Sequence, residues 1–448
     1  MKILMRAAMS PLDNPDPFEM ISKNRIGDNM GNMMFPHSIC RTVMTEGTQI
    51  DTIKFTDPVP RGEIDRINQT YDMVILPFAN ALRKSFLYEL KVTTDVIRKL
   101  KIPCVVVGIG TQVEFGKELS DPRLLKQSRA FVRAVLDHSA KIGVRGEQTA
   151  DFLKKIGFAE EKDFTVIGCP SMFMYGKDLP VPHVRGLSPE SPISITSKIQ
   201  LGAGFHDFMY RTCMDIPDHT FIPQVIQEIK LMYWGMPMSK KFAKHFPAQY
   251  PSELTHPLHA EGRSICFPNA VRWMEFLAEK DFCVGSRMHG SIAAIMAGTP
   301  VHVLVSDPRI LELTEYHRIP STLISEMPKK ESVFDLYART DFNSILDGHE
   351  QRFLHYLDFL KENGIGTIYD ADGRQGRCPF DEAMAQIDYH PGFCAFSASD
   401  PEEQSRRLKE MCRFYETKLK DAQKVSLKRV LKSRVRAVLE KAGLYKPL

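Results

Sequence analysis

Residues 283–304 read CVGSRMHGSIAAIMAGTPVHVL. An apolar run ends at Gly285-Ser286, two basic side chains follow at Arg287 and His289, a small-residue segment (SIAAIMAG) has helical length, and a second apolar run begins at Pro300. The order strand, helix, strand is the repeating unit of α/β layers with a parallel sheet. At the first strand-to-helix turn the helix presents free N–H groups and the positive end of its dipole, a ready anion site. Arg287 adds an always-charged fork suited to phosphate or carboxylate, and His289 a group able to donate a proton near neutral pH. Two cations there oppose the dipole at a cost of about 0.3–1 kcal/mol, a mismatch that a bound anion removes. The plainer alternative is a solvated loop whose Arg and His cap a helix.

Working outward, the same alternation runs through most of the chain. Residues 72–78, 104–110, 141–145 and 164–168 read as buried strands, and MKILMR at the start as a first one. Segments 123–138 and 147–157 read as helices, the second closed by Gly157. The Pro/Gly/Ser-rich stretch 176–192 is the best linker. Beyond it, 193–197, 281–285 and 300–305 read as strands, with helical pattern near 221–234 and 268–280. A helix from about 346 leads into a turn-rich stretch, 364–400, and the last fifty residues are helical by pattern. The expected architecture is α/β: two Rossmann-like domains, 1–185 and 190–365, facing one another across a cleft, with a turn-rich segment and helical tail over 366–448. In such sheets ligands bind beyond the carboxyl ends of the strands, where the opening motif lies.

Composition sets the bounds. With 448 residues, 43% hydrophobic and 25% charged, the chain suits two or three soluble domains. No apolar run approaches the roughly 20 residues of a membrane span. Arg6 interrupts what would be a signal-peptide core. Nine scattered cysteines without a CxxC pair suit buried thiols in a reducing compartment, so a cytoplasmic location is expected. From Pro401 onward 14 Lys/Arg face 6 Asp/Glu, which leaves −4 on the rest of a chain whose net charge is +4. Within that tail, Leu427, Val430, Leu431, Val435 and Val438 share one helical face among basic residues. Such a helix docks on an anionic membrane surface, here the inner face, or packs on its own protein. Without an aromatic platform beside the charge, nucleic acid is not an expected partner.

The remaining motifs are weaker. GIGTQ (108–112) lacks the third glycine of a dinucleotide fingerprint and reads as a tight strand-end turn or a place of close ligand approach. NRIGDNMGNMMF (24–35) is a polar, glycine-punctuated turn before a helix beginning near Met33; it cradles a polar ligand or caps that helix. Asp370-Ala371-Asp372 matches a metal–nucleotide DxD pattern, but in a turn where Asp and Gly are expected anyway. His256 and His259 lack Cys or carboxylate partners at ligand spacing, so no metal is expected.

Together, SRMHGSIAAIMAGTPV (286–301) and DPRILELTEYHRIP (307–320) resemble the Arg-x-His-Gly region of the polysaccharide pyruvyl transferases. IGVRGEQTADFLKKIG (142–157), VIGCPSMF (166–173) and the turn at 24–32 fall in that family's order, although Cys169 stands where many members carry Asp. The resemblance spans roughly 1–320 and implies a glycosyltransferase-B-like fold. It also implies transfer of a pyruvyl group from phosphoenolpyruvate to two hydroxyls of a sugar or glycan acceptor, free or lipid-linked, as a cyclic ketal with release of phosphate. On that reading Arg287 grips the donor's phosphate or carboxylate and His289 is the acid. At an unperturbed pKa near 6.5 it would be about a quarter protonated at pH 7. Ser286 and Gly290 line the turn, Asn29 and Asn32 face the acceptor, Lys198, His317 and Arg318 are neighbours, and no cofactor is required. Two other readings stay open: a nucleotide-sugar glycosyltransferase of the same fold, and a non-catalytic carbohydrate- or anion-binding protein.

Overall fold

In the computed structural model, which describes residues 1–238 and 249–441, with side chains through 423, two parallel sheets face each other. The first takes β1 (Lys2–Arg6), β2 (Gln49–Ile53), β3 (Met73–Pro77) and β4 (Cys104–Val107) in the order β2-β1-β3-β4. A bridge between Ile109 and Val144 continues it into the pair β5 (Ile142–Val144) and β6 (Phe164–Val166). The second contains β7 (Ile193–Thr196), β8 (His219–Phe221), β10 (Phe282–Gly285), β11 (Val301–Val305) and β12 (Ser321–Leu323), in the order β12-β11-β10-β7-β8. A short antiparallel pair, β9 (Ile265–Cys266) with β13 (Phe393–Cys394), lies beside it. This is the expected α/β architecture of two Rossmann-like units across a cleft, with a helical C-terminal region. The central strands are wholly buried runs, MVILP, CVVV and VHVLV, as sheets covered by helices on both faces require.

The opening stretch folds as its pattern predicts. β10 ends at Gly285, whose φ of 149° is open to glycine, and a Cβ there would strike the Thr196 carbonyl of neighbouring β7. Arg287 is the N-cap of the helix Met288–Met296, and β11 returns parallel to β10. The small residues of that helix let it lie close on the sheet, where all but His289 are buried.

Strands β2, β8 and β12, short or edge-placed, have no counterpart in the sequence expectation. The expected helix near 221–234 begins at Ile226, because Phe221 belongs to β8. One segment sits differently from its expected domain. The helix His349–Glu362, in sequence within 190–365, packs on the first unit. Phe173 stacks on Tyr356 at 5.1 Å, and Asn363 Oδ1 accepts the Ala140 N–H at 3.0 Å. The chain then stays with that unit through Asp381, whose carboxylate pairs with buried Arg41 at 2.8 Å. It returns to the second unit near residue 388, where Arg272 donates to the Tyr389 carbonyl at 3.2 Å. The physical reason is apolar: Phe353, Tyr356, Phe359 and Leu360 are buried together against the Phe173 region, a helix face that 190–365 alone would leave wet.

The tail is one helix, Pro401–Lys441. Arg407 anchors its start, stacked 4.4 Å over Tyr233 and donating to the Cys394 carbonyl. The apolar face expected at Leu427–Val438 lies outside the residues whose side chains are described. Among the described residues no helix is long and apolar enough to cross a membrane.

Candidate functional site: a basic cleft between the two sheets

The carboxyl ends of both sheets open on one cleft of about 710 Å³. Residues at or beyond strand ends line it: Arg6 at the end of β1, Lys54 after β2, Asn80 and Arg83 after β3, and Gln112 after β4. Arg145 comes after β5, Lys198 after β7, Gln224 after β8, Arg287 and His289 after β10, and Arg309 after β11. Seven Lys/Arg side chains thus face two acids, Asp28 and Glu89. In a chain whose net charge is only +4, this is a local concentration of positive charge of the kind that attracts anions.

His289 sits half-buried in this wall. Its ring meets Phe35 edge-on at 5.6 Å, and Nε2 lies 3.9 Å from the Cys169 thiol. Burial, followed by the charges of Arg145 and Arg309, pushes its pKa down to about 3. The expectation of a partly protonated His289 at pH 7 is therefore corrected. At pH 7 the ring is neutral, because it is buried beside two guanidinium groups.

Arg287 is committed more than a free anion-gripper would be. It donates to Glu228 Oε1 at 2.7 Å and to the Ser197 carbonyl at 2.8 Å. Glu228 also accepts from the backbone N–H groups of Gln224 and Val225 and from Tyr250. This buried network locks the turn, and Arg287 faces the cleft with what remains of its fork. Lys198 and Arg309 converge on Asp307, Lys198 at 2.9 Å and Arg309 through two bonds of 2.9 Å. Burial, above all, lowers the Lys198 pKa to about 8.

The least satisfied cation is one that sequence reading did not select. Arg145, 3% exposed, ends the quoted run IGVR, and one of its Nη groups donates to Asn80. Its Nε and other Nη are buried and have no partner among the described residues. Gly110 of GIGTQ makes room for it: a Cβ there would collide with the Arg145 side chain. The signal was available, since Arg145 stands at a strand end just as Arg287 does, but only the fold brings the two ends together.

Of the other expected residues, Asn29 and Asn32 line the cleft. Their amides are spent on the turn itself: Asn29 Oδ1 accepts the Gly31 N–H at 2.8 Å, and Asn32 Nδ2 donates to the carbonyls of Ile26 and Gly27. That turn is pinned to the second unit, with the Met30 N–H bonded to the Gln224 carbonyl at 2.8 Å and the Ile226 N–H to the Asp28 carbonyl at 3.0 Å. Ser286 is fully buried beneath the cleft wall, and Gly290 is the spot where a side chain would strike Gln224. His317 and Arg318 are not cleft residues. His317 is 0% exposed and accepts the Cys169 N–H at 2.8 Å through Nε2, while Arg318 is an exposed, left-handed C-cap. The helix Pro308–His317 explains this, because its residues through Leu313 meet the cleft and the last four carry the chain about 6 Å further.

Gly31 tests the geometry. A Cβ there would lie 2.6 Å from the His289 Cβ. Gly31→Ala is expected to cost about 1–3 kcal/mol of stability by overpacking. Urea unfolding checks this, and an unchanged midpoint would show that the turn can yield where Gly31 meets His289.

Fold and site define a protein of two parallel-sheet α/β units with a strongly basic cleft between them. The sequence pattern of the polysaccharide pyruvyl transferases matches residues 57–308, and the chain belongs to that family of transferases. No curated protein sequence matches the chain. Solved structures similar to it include the UDP-GlcNAc 2-epimerase of Methanocaldococcus jannaschii, in complex with UDP-GlcNAc and UDP. That match has 11% identity and a TM-score of 0.39, and covers 81% of this chain and 99% of that one. Another is the UDP-GlcNAc 2-epimerase of Neisseria meningitidis bound to UDP-GlcNAc, with 10% identity, a TM-score of 0.36, and 86% and 100% coverage. A third is the glycotransferase of kitacinnamycin, with 12% identity, a TM-score of 0.36, and 81% and 97% coverage.

Proposed function

We propose that the cleft transfers a pyruvyl group from phosphoenolpyruvate to two hydroxyls of a sugar acceptor, forming a cyclic ketal and releasing inorganic phosphate. The observation that carries this is the buried Arg145 with two unpartnered donors beside neutral His289. Phosphoenolpyruvate brings a phosphate and a carboxylate, and Arg145, Arg309 and the free part of Arg287 can receive them as charge-assisted hydrogen bonds of about 1.5–3 kcal/mol each.

A neutral His289 suits the proton bookkeeping. It takes the proton of the first sugar hydroxyl as that oxygen bonds to the substituted carbon of the enol, and passes it to the methylene carbon, which becomes the methyl. The second hydroxyl then bonds to the same carbon as the C–O bond to phosphate breaks, and its proton leaves with the phosphate. Bound substrate also cancels the charges of Arg145 and Arg309, so the transient imidazolium is better tolerated than in the empty cleft.

The test pairs binding with turnover. Phosphoenolpyruvate at 100 times its Kd should stabilise the protein by about 2.7 kcal/mol in thermal unfolding. With a competent acceptor it should release one phosphate per acid-labile ketal formed. Nucleotide release from a UDP- or GDP-sugar, with no response to phosphoenolpyruvate, would replace this reading with glycosyl transfer.

A further inference from the structure

We propose that the buried thiol of Cys169 is a positioning residue for His289: its sulfur accepts the Nε2–H and so leaves Nδ1 as the atom that exchanges protons with the reactants. This rests on His289 acting as the base proposed above, and it adds which nitrogen acts and what selects it.

Cys169 lies just beyond the end of β6 and is 0% exposed. Its Sγ is 3.9 Å from His289 Nε2, within the longer reach of a sulfur acceptor. No other group bonds the His289 ring among the described residues. Nδ1 bonds nothing there and is not sealed in the interior, so it is the ring nitrogen open to the cleft.

Both partners are held from outside the pair. The Cys169 N–H donates to His317 Nε2 at 2.8 Å. Gly168, at a φ of 69°, threads the chain past that ring, where a Cβ would come within 2.3 Å of Nε2. On the other side of Cys169, the Pro170 carbonyl accepts the Ser38 hydroxyl. The His289 ring lies edge-on to Phe35 at 5.6 Å, and its Cβ abuts Gly31. Neither side chain has room to trade its neighbour for another.

A second buried group sets the direction of the bond. The Ser171 hydroxyl, also 0% exposed, has no other partner and lies beside the Cys169 thiol. With the S–H donated to Ser171 Oγ, the sulfur lone pair is left for Nε2–H, and all three groups are satisfied. The reverse bond, S–H to Nε2, would strand Ser171 and put the ring proton on Nδ1, where no further proton could be taken.

Sulfur is a weak acceptor, and burial keeps the thiol neutral by raising its pKa. Cys169 therefore fixes the ring without stabilising its cation, as a carboxylate would. The charges that face His289 are Arg145, at the end of β5, and Arg309, in the helix Pro308–His317. Phe35 and Gly31 carry none, and His317 behind Cys169 is neutral. The ring thus holds an extra proton only in passing. Nδ1 takes it from the sugar hydroxyl and gives it to the methylene carbon, while Nε2–H stays in place.

The experiment uses the full chain labelled with ¹⁵N-histidine, the His289 signals being assigned by their loss in His289→Gln. At pH 7.5 the wild type should show a protonated Nε2 and a bare Nδ1. Cys169→Ala should move the proton to Nδ1, because a buried N–H without an acceptor is costly and Nδ1–H finds water in the cleft. Its kcat should fall roughly tenfold or more, with KM for phosphoenolpyruvate changed less than about twofold. Cys169→Asp should keep the proton on Nε2 and raise the pH at which the ring titrates. Its kcat/KM, taken as a ratio to the wild type, should then drop between pH 7.5 and pH 6.

A proton on Nδ1 in the wild type, or one that stays on Nε2 in Cys169→Ala, would overturn the assignment. So would unchanged kcat in Cys169→Ala, or a Cys169→Asp ratio that is constant with pH. If the wild type releases no phosphate from phosphoenolpyruvate, the proposed reaction fails, and the nitrogen spectra still decide what the thiol holds. Should Cys169→Asp not fold, the wild-type and Cys169→Ala spectra carry the test.

Discussion

Arg145→Met is expected to lower kcat/KM for phosphoenolpyruvate-dependent phosphate release by roughly 10²–10⁴ while leaving the protein as stable as before or more so. The wild-type guanidinium is 3% exposed and, among the described residues, has no carboxylate partner and keeps two donors without acceptors. Burial depresses its pKa. Two charge-assisted hydrogen bonds to the donor, at about 1.5–3 kcal/mol each, amount to two to four decades in rate. The same group, empty, is a cost to the fold, because a buried charge without a partner is poorly compensated. Met is similar in length, brings no charge, and leaves only Asn80 without its donor. Activity and stability should therefore move in opposite directions, which ordinary damage to the fold would not produce. Phosphoenolpyruvate should raise the melting temperature of the wild type and not of the variant. A variant that retains more than a third of wild-type kcat/KM would remove Arg145 from the donor site.

The second large effect is loss of stability in mild acid. His37, His259 and His349 have pKa values pushed to about 4, and His302 to about 3, chiefly by burial. His317 lies well below its usual range for the same reason. These five rings are neutral in the native protein and have ordinary values near 6.5 once unfolded. A depressed histidine contributes stability in full above the unfolded pKa and loses it as pH falls toward the folded one, because the unfolded chain binds the proton first. Between about pH 6 and pH 4 the five together remove on the order of 5 kcal/mol per pH unit. Glu312 acts in the other direction, its pKa raised to about 7 by burial, and offsets roughly one proton of this slope between pH 7 and 4.5. A domain holds only about 5–15 kcal/mol in total, so cooperative unfolding is expected near pH 5. Thermal melts at pH 7.5, 6.0 and 5.0 check it, and a melting temperature flat across that range would falsify the assignment of neutral buried rings.

Much of the fold was legible because buried parallel strands are written as short apolar runs. CVVV, VHVLV and FCVG needed no context to be recognised. Polar or edge strands were not: QIDTI of β2 has only intermediate or exposed positions, so its pattern carries no burial signal. At the site, Arg287 and His289 were visible because two cations at a helix N-terminus are out of place. Arg145, Arg309, Arg6 and Arg83 were not, since each is an ordinary arginine in its own segment. Their meaning lies in the convergence of strand ends up to 300 residues apart in sequence, Arg6 on one sheet and Arg309 on the other. His317 illustrates the opposite hazard. It follows the signature closely in sequence, yet a helix carries it away from the cleft to bond Cys169.

The crossing of the helix His349–Glu362 onto the first sheet has a consequence for biosynthesis. A chain leaving the ribosome can assemble β1 to β6 early, but the surface around Phe173, Ile167 and Gly143 has no cover until residue 360 or so has emerged. By then the whole second sheet, ending at Leu323, has been translated. The amino-terminal half therefore cannot mature first and wait, as it does in most multidomain proteins. Its completion is held until the other half exists, and the two halves of the cleft reach their final form together.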